Sequence, residues 1–323
     1  IYTLSLHDAL PISTSDMFWS LVSLFVLIGI IRLVVMLAKG FMAWLGRGKP
    51  IQRAAENREL PDDVRKAAAQ LDFYYRLKGY RKEMGKPTRL TITQLRSIAE
   101  AERLVRNDRA DHMRVGWYQV VILFLVGSVA GLILEQVWMF VTEGLTEGRY
   151  GLVWGPFSPL YGVGAVLLTL ICLRMRKREA AWWQVFLVAM VVGGLLEQVT
   201  GWGMETFMGA VSWDYTNVPG AITKWVAVPF LFFWGVLGLV WANLITPWLL
   251  SVIGEPTTRR QVVFVLFLAA YLALDIFMTL ACFTRRAARD AGIPPRNDFE
   301  LWVDERFSNE FMSNRFQNMI VGE

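Results

Sequence analysis

Cysteine and histidine are nearly absent from this chain, at two residues each in 323. Cys172 and Cys282 both lie inside long apolar runs, which excludes a disulfide framework and leaves too few thiols for a zinc cluster. His7 and His112 are too few for a histidine-based metal centre or a Ser-His triad. Charge is also thin: Asp, Glu, Lys and Arg make up 19% of the residues, against 54% hydrophobic ones, and mean hydropathy is +0.38. That balance excludes an ordinary soluble domain.

Apolar runs of spanning length, about 20 residues at 1.5 Å each, occur at 18–38, 117–141, 156–173, 182–202, 225–250 and 262–283. The expected fold is therefore all-α, a polytopic membrane protein with about six transmembrane helices. Most of the 14 tryptophans, among them Trp117, Trp182, Trp183, Trp202 and Trp248, sit near the ends of these runs, where an amphipathic ring prefers the headgroup layer. Residues 1–12, reading IYTLSLHDALPI, look like the in-frame translation of a short-read sequencing adapter. Setting them aside removes His7 and leaves Met17, or a residue lost upstream, as the natural start.

The chain divides by composition into a first transmembrane helix at 17–45, a basic segment at 46–116, a five-helix membrane domain at 117–283 and a tail at 284–323. Between Gly46 and Arg114 there are 17 Lys and Arg against 10 Asp and Glu, a surplus of seven. Pro61 with Asp62 and Asp63 opens a helix whose stripe is Val64, Ala67, Ala68, Leu71 and Tyr75; Gly85 and Pro87 stop it, and a second helix begins near Thr93. A helical hairpin held against anionic lipid fits this better than nucleic-acid binding, because its basic residues are interleaved with acids and tethered to a bilayer. By the positive-inside rule the clusters Arg47/Lys49/Arg53, Arg106/Arg109/Arg114, Arg174/Arg176/Lys177/Arg178 and Arg259/Arg260 mark the cytoplasmic side. Loops 142–155 and 203–224 are then external. Arg285, Arg286 and Arg289 break the rule, following the last span on the side that should be poor in basic residues. The tail carries Phe299, Trp302, Val303, Phe307, Phe311, Met312 and Phe316 among charges, a pattern for a helix lying on a membrane or packed on the bundle.

The most informative feature is a duplicated acid. Leu-Glu-Gln-Val occurs at 134–137 and 196–199, and an offset of 62 pairs Gly131 with Gly193, Glu135 with Glu197 and Glu143 with Glu205. This implies an internal two-helix repeat, near 117–174 and 182–250, with its pseudo-twofold axis along the membrane normal. A charge in hydrocarbon costs about 3 kcal/mol on insertion scales, so intramembrane acids mark sites by default. Gly193, Glu197, Gly201, Glu205 and Gly209 recur every four residues, a stripe that packs on protein and sets the two carboxylates about 12 Å apart. Glu135, Glu197, Asp275, Glu205 and Asp214 are the candidate substrate- or ion-binding residues, and carboxylates removed from water should exchange protons near neutrality or hold a cation. The bland alternative is that each Glu bonds a neighbouring helix and only holds the bundle together. The Gly- and Pro-rich stretch Trp154, Gly155, Pro156, Pro159, Tyr161 and Gly162, with Trp213 and Tyr215, forms the candidate loop or gate, a re-entrant turn or an ordinary external turn. Arg149 and Lys224 are the nearest counter-charges.

The order Gly131-Leu-Ile-Leu-Glu135, Gly155-Pro-Phe-Ser-Pro-Leu-Tyr-Gly162-Val-Gly164-Ala, Leu196-Glu197, Thr200-Gly201, Glu205, Trp213-Asp-Tyr, Trp234-Gly235 and Asp275 with Thr279 resembles the ABC-transporter type IV permeases of bacterial membranes. The resemblance covers about 117–283. It departs at Ser158, where the family usually shows Cys, and at Gly220-Ala-Ile-Thr, where it shows Asn-x-x-Gly. It implies a multi-pass permease of the bacterial inner membrane, not itself an enzyme. No Gly-x4-Gly-Lys-Ser/Thr occurs in the chain, so an ATPase has to be a separate subunit. Membrane lipids, that subunit and a second copy of the chain are the expected partners; no cofactor, metal or nucleic acid is expected. A membrane scaffold recruiting partners through the basic hairpin and an intramembrane enzyme using paired carboxylates are the alternatives.

Overall fold

The computed structural model describes residues 60–85, 89–144, 147–256 and 258–321. The adapter-like residues 1–12, the first expected span and the chain up to Glu59 lie outside them, as does the side chain of Glu143. By its contacts the chain divides into a unit of residues 1–49 with 257–261 and a unit of 50–256 with 262–323. Nearly all of the described residues belong to the second unit.

Helices α1 (Asp62–Glu83) and α2 (Ile92–His112) form the expected hairpin. Thr91 caps α2 through a reciprocal box with Gln94, which fixes its start one residue before the sequence pattern suggests. Ala67, Leu71 and Ala101 bury the seam. The membrane part begins soon after α2. It comprises α3 (Trp117–Glu143), α4 (Pro159–Arg176), α5 (Trp182–Gly203) with a π-helical turn Met204–Met208, α6 (Val228–Val240) with a π-helical turn Trp241–Ile245, α7 (Thr246–Ile253) and α8 (Arg259–Asp290). Within the described residues, five stretches are long and apolar enough to cross a membrane: Trp117–Val137, Pro159–Arg176, Trp182–Met208, Val228–Ile253 and Arg259–Asp290. They are the last five of the six expected spans.

Two hairpins, α3–α4 and α5–α6, carry the closest helix packing, and the repeat extends further than the acid motif. With α3 on α5 at offset 62, α4 falls on α6 at offset 73, pairing Pro156 with Pro229, Tyr161 with Trp234, Gly162 with Gly235 and Ala165 with Gly238. The packing is equivalent too. A Cβ on Gly127 would lie 2.3 Å from Ala165 Cβ, and one on Gly238 would lie 2.2 Å from Ala189 Cβ, so one glycine of each crossing has moved to the other helix. Gly131 receives the ring of Tyr161 and Gly193 that of Trp234. On the far side of α5, Leu187, Val191, Leu195 and Val199 are 49–63% exposed, the stripe a helix turns to lipid.

Beyond α8 the tail folds back. Helices α9 (Asp298–Arg306) and α10 (Asn309–Arg315) bury Val303, Phe307, Met312 and Phe316 against Val153, Met278, Cys282 and Phe283. Strand β2 (Ile320–Val321) pairs antiparallel with β1 (Ala210–Val211). The tail thus packs on protein. The anomalous basic cluster is explained by the same fold: Arg285 chelates Asp304 at 3.0 and 2.6 Å and reaches Glu300 at 3.1 Å, Arg289 pairs with Asp304, and Arg286 donates to Ser313 Oγ at 3.3 Å.

Two measurements check this packing. Gly193→Ala puts a methyl 2.0 Å from Trp234 Cγ and is expected to cost about 1–3 kcal/mol by thermal unfolding in detergent, while Gly203→Ala, with open space, costs nothing. The Arg285 and Arg289 hydrogen bonds hold the Asp304 carboxyl below the usual carboxylate range. Its contribution is therefore complete above the unfolded value and is lost as pH falls through the folded one. Protease sensitivity of the tail should accordingly rise below about pH 4, and less so in Asp304→Asn, which is already loosened at neutral pH.

Candidate functional site

Glu197 lies on the protein-facing stripe of α5, and its side chain is brought out of water by Trp234, whose ring fills the notch of Gly193 one turn earlier. Residue Glu197 is 7% exposed. Oε1 accepts a hydrogen bond from Trp234 Nε1 at 3.0 Å, whereas Oε2 is buried and receives none from the described residues. Trp225, seated on Gly201 one turn further along, buries an indole N–H that likewise has no partner.

Glu135 occupies the same position in the first repeat with the same kind of neighbour, the Tyr161 hydroxyl in electrostatic reach of it. The difference is Arg149. This residue approaches from the loop after α3 and pairs through Nε with Glu135 Oε1, in a bridge whose side chains are 12% and 21% exposed. Tyr215 joins the two halves. Its ring stacks on Phe230 at 4.3 Å and 10°, and burial, then the charges of Glu197 and Glu135, push its hydroxyl up in pKa against an opposing effect of Arg149. Tyr215 thus lies within electrostatic reach of Glu135 and Arg149 from the first repeat and of Glu197 from the second.

The remaining candidates are placed elsewhere. Glu205, on the π-helical turn, holds Lys224 Nζ with both oxygens at 2.9 Å. Asp214 is exposed and caps its own turn through Thr216 N at 2.7 Å, which draws its pKa down. Trp213 Nε1 donates to Trp225 O, closing the loop base. Asp275, midway along α8 and fully buried, accepts from Trp154 N at 3.0 Å and Gly155 N at 2.9 Å, one on each oxygen. Thr279, one turn on, accepts from Val153 N at 2.9 Å. Residues 151–158 are therefore irregular backbone held against protein, with Pro156 exposed and Pro159 opening α4. Gly162 gives room to Ser128 Oγ and Phe124. The tail supplies Arg315, which donates to Leu152 O and Gly155 O and lies 3.9 Å over the Tyr150 ring. Its role is invisible in the sequence, where it is one more charge among aromatics; the Trp234 indole is likewise hidden among the belt tryptophans. Among the described residues no group of three or more His, Cys, Asp or Glu could hold a metal.

Paired helical hairpins in an apolar bundle, with acids on the inner stripes, define a multi-pass membrane protein built by duplication. Residues 122–280, just under half of the chain, match the model of the family described as "Putative ABC-transporter type IV". No curated protein and no solved structure matches the chain.

The loop anchorage is open to direct measurement. Asp275→Ala leaves two backbone amides without an acceptor, at about 1–3 kcal/mol for each, and should lower the unfolding temperature and expose 151–158 to protease. Asp275→Asn, which keeps one acceptor oxygen, should fall between this variant and wild type.

Proposed function

We propose that the chain is the membrane permease of a transport system, and that Glu197, with Glu135 as its repeat partner, holds the proton, cation or small solute that crosses. The observation that carries this reading is the second oxygen of Glu197, which is buried in the bundle without a protein donor. A carboxylate serving only as glue would have its acceptors filled, as those of Glu205 are. The family match supports the transport class. The ATPase that such a system uses is a separate subunit, and lipid surrounds the exposed helix faces. Asp275 enters as the anchor of the loop beside the site, with Trp154, Gly155 and Tyr161 as the segment that shapes its approach.

One observation favours a second role alongside transport. Phe73, Leu77, Tyr80 and Met84 form a stripe on α1 opposite the buried Val64, Ala67 and Leu71, and Phe73 and Tyr80 are 71% and 62% exposed. Such a face suits recruitment of a partner to the hairpin. The intramembrane enzyme gains no comparable support, because the hydrogen bond of Glu135 goes to Arg149 and that of Glu197 to Trp234.

The test is a pH jump across sealed vesicles containing the full chain, reading internal pH for wild type, Glu197→Gln and Phe73→Ser/Tyr80→Ser. Proton movement in wild type that falls to the leak level in Glu197→Gln, at equal folded protein by gel filtration, is the expected result. Movement unaffected by Glu197→Gln would sink the carboxylate reading, and a defect only in the hairpin variant would favour recruitment.

A further inference from the structure

We infer that the site takes a single monovalent positive charge, and that Arg149 sets this number as a tethered counter-ion filling the Glu135 half of a duplicated site. The inference rests on the role proposed for Glu197. Its ground is the charge balance of the acids in the membrane region. Glu205 is neutralised by Lys224 on both oxygens, and Asp275 has an amide on each oxygen with Arg315 in electrostatic reach. Glu135 has Arg149 and the Tyr161 hydroxyl. Glu197, the more buried of the two repeat-related glutamates, has one neutral indole donor and no cation among its described partners. In the second repeat the corresponding loop places its cation, Lys224, on Glu205 rather than on Glu197.

Duplication therefore produced two carboxylate half-sites, and only one acquired its own cation. Among the described residues, the groups whose contacts or charges reach the two glutamates are Tyr161 on α4, Tyr215 on the loop before α6, Trp234 on α6 and Arg149 on the loop after α3. With the tyrosines and tryptophan neutral, two glutamates and one arginine leave one negative charge. A lone buried charge of that kind is costly, and one proton or one monovalent ion removes the cost. A divalent ion would leave a surplus positive charge.

The charge count can be varied residue by residue in vesicles containing the full chain. Three probes separate the sources of charge: internal pH for the proton, and radioactive sodium and calcium for monovalent and divalent ions. Wild type should carry proton or sodium and no calcium, and should bind about one monovalent cation per chain at saturation, read by isotope binding or proton uptake. Arg149→Gln, which leaves two negative charges, should raise that number toward about two. Glu135→Gln, which leaves none, should weaken cation dependence at least tenfold. The double variant Glu135→Gln/Arg149→Gln restores one negative charge and should recover the dependence lost in Glu135→Gln; because it leaves no new charge unpaired, it carries the test even if Arg149→Gln alone does not fold. Calcium transport by wild type, a bound-cation number unchanged in folded Arg149→Gln, or a double variant as impaired as Glu135→Gln would overturn the inference. If Glu197→Gln still abolishes movement in those cases, the proposed function stands without it; no Glu197-dependent movement of any probe overturns both.

Discussion

The grip of Asp275 on the backbone of Trp154 and Gly155 is the contact on which the rest of the loop end depends. A carboxylate in the interior of an apolar helix needs donors, and an irregular loop at the same level needs acceptors, so each removes the penalty of the other. Once residues 153–155 are pinned, Gly151 N bonds Phe157 O and Pro159 opens α4 with its missing N–H at a position that has no helical partner in any case. The first turn of α4 then sets Tyr161 against Gly131 and within reach of Glu135. The carbonyls left over, those of Leu152 and Gly155, are taken by Arg315 from the tail. A fixed site in the bundle is thus held from the loop side by hydrogen bonds to backbone, which do not depend on the identity of the loop side chains.

The second repeat reaches the same placement by different means. Its loop carries no Asp275 equivalent. It is closed instead by Trp213 Nε1 on Trp225 O, by Tyr215 N on Lys224 O and by a left-handed Gly220 at φ 84°, where a side chain would be strained. Trp234 takes the place of Tyr161, with an indole N–H in place of a hydroxyl. That exchange matters electrically. A tyrosine hydroxyl can donate to one oxygen and accept from another group, whereas an indole only donates, so Trp234 leaves Glu197 with less hydrogen-bonding freedom around it than Glu135 has.

Much of this was legible in sequence because polar residues are rare in apolar runs and each stands out. The spans after the first, the duplicated glutamates, the hairpin and the counter-charges Arg149 and Lys224 all rest on that contrast. The same contrast hides what an acid bonds. Glu197 and Asp275 look alike in a hydropathy profile, yet one has an oxygen without a donor and the other has an amide on each oxygen. The tail pattern was ambiguous for a related reason: an amphipathic segment buries its apolar face equally well in lipid or in protein. Only the partners Val153, Met278 and Phe283, distant in the chain, decide between them. Arg285, Arg286 and Arg289 contradict the topology only when charge is counted along the chain, because Asp304 and Glu300, which balance Arg285, arrive from the tail.

The two halves differ where the repeat leaves the helices. Arg149 pairs with Glu135 in one half, whereas Lys224 on the corresponding loop of the other pairs with Glu205, so the halves are unequal without any change to the helices that carry the glutamates. The packing that has to stay symmetric, small residues facing small residues at Gly127–Ala165 and Ala189–Gly238, is separate from the residues that have to differ. The packing contacts and the ion pairs can then change independently, because contacts that share no partners contribute additively.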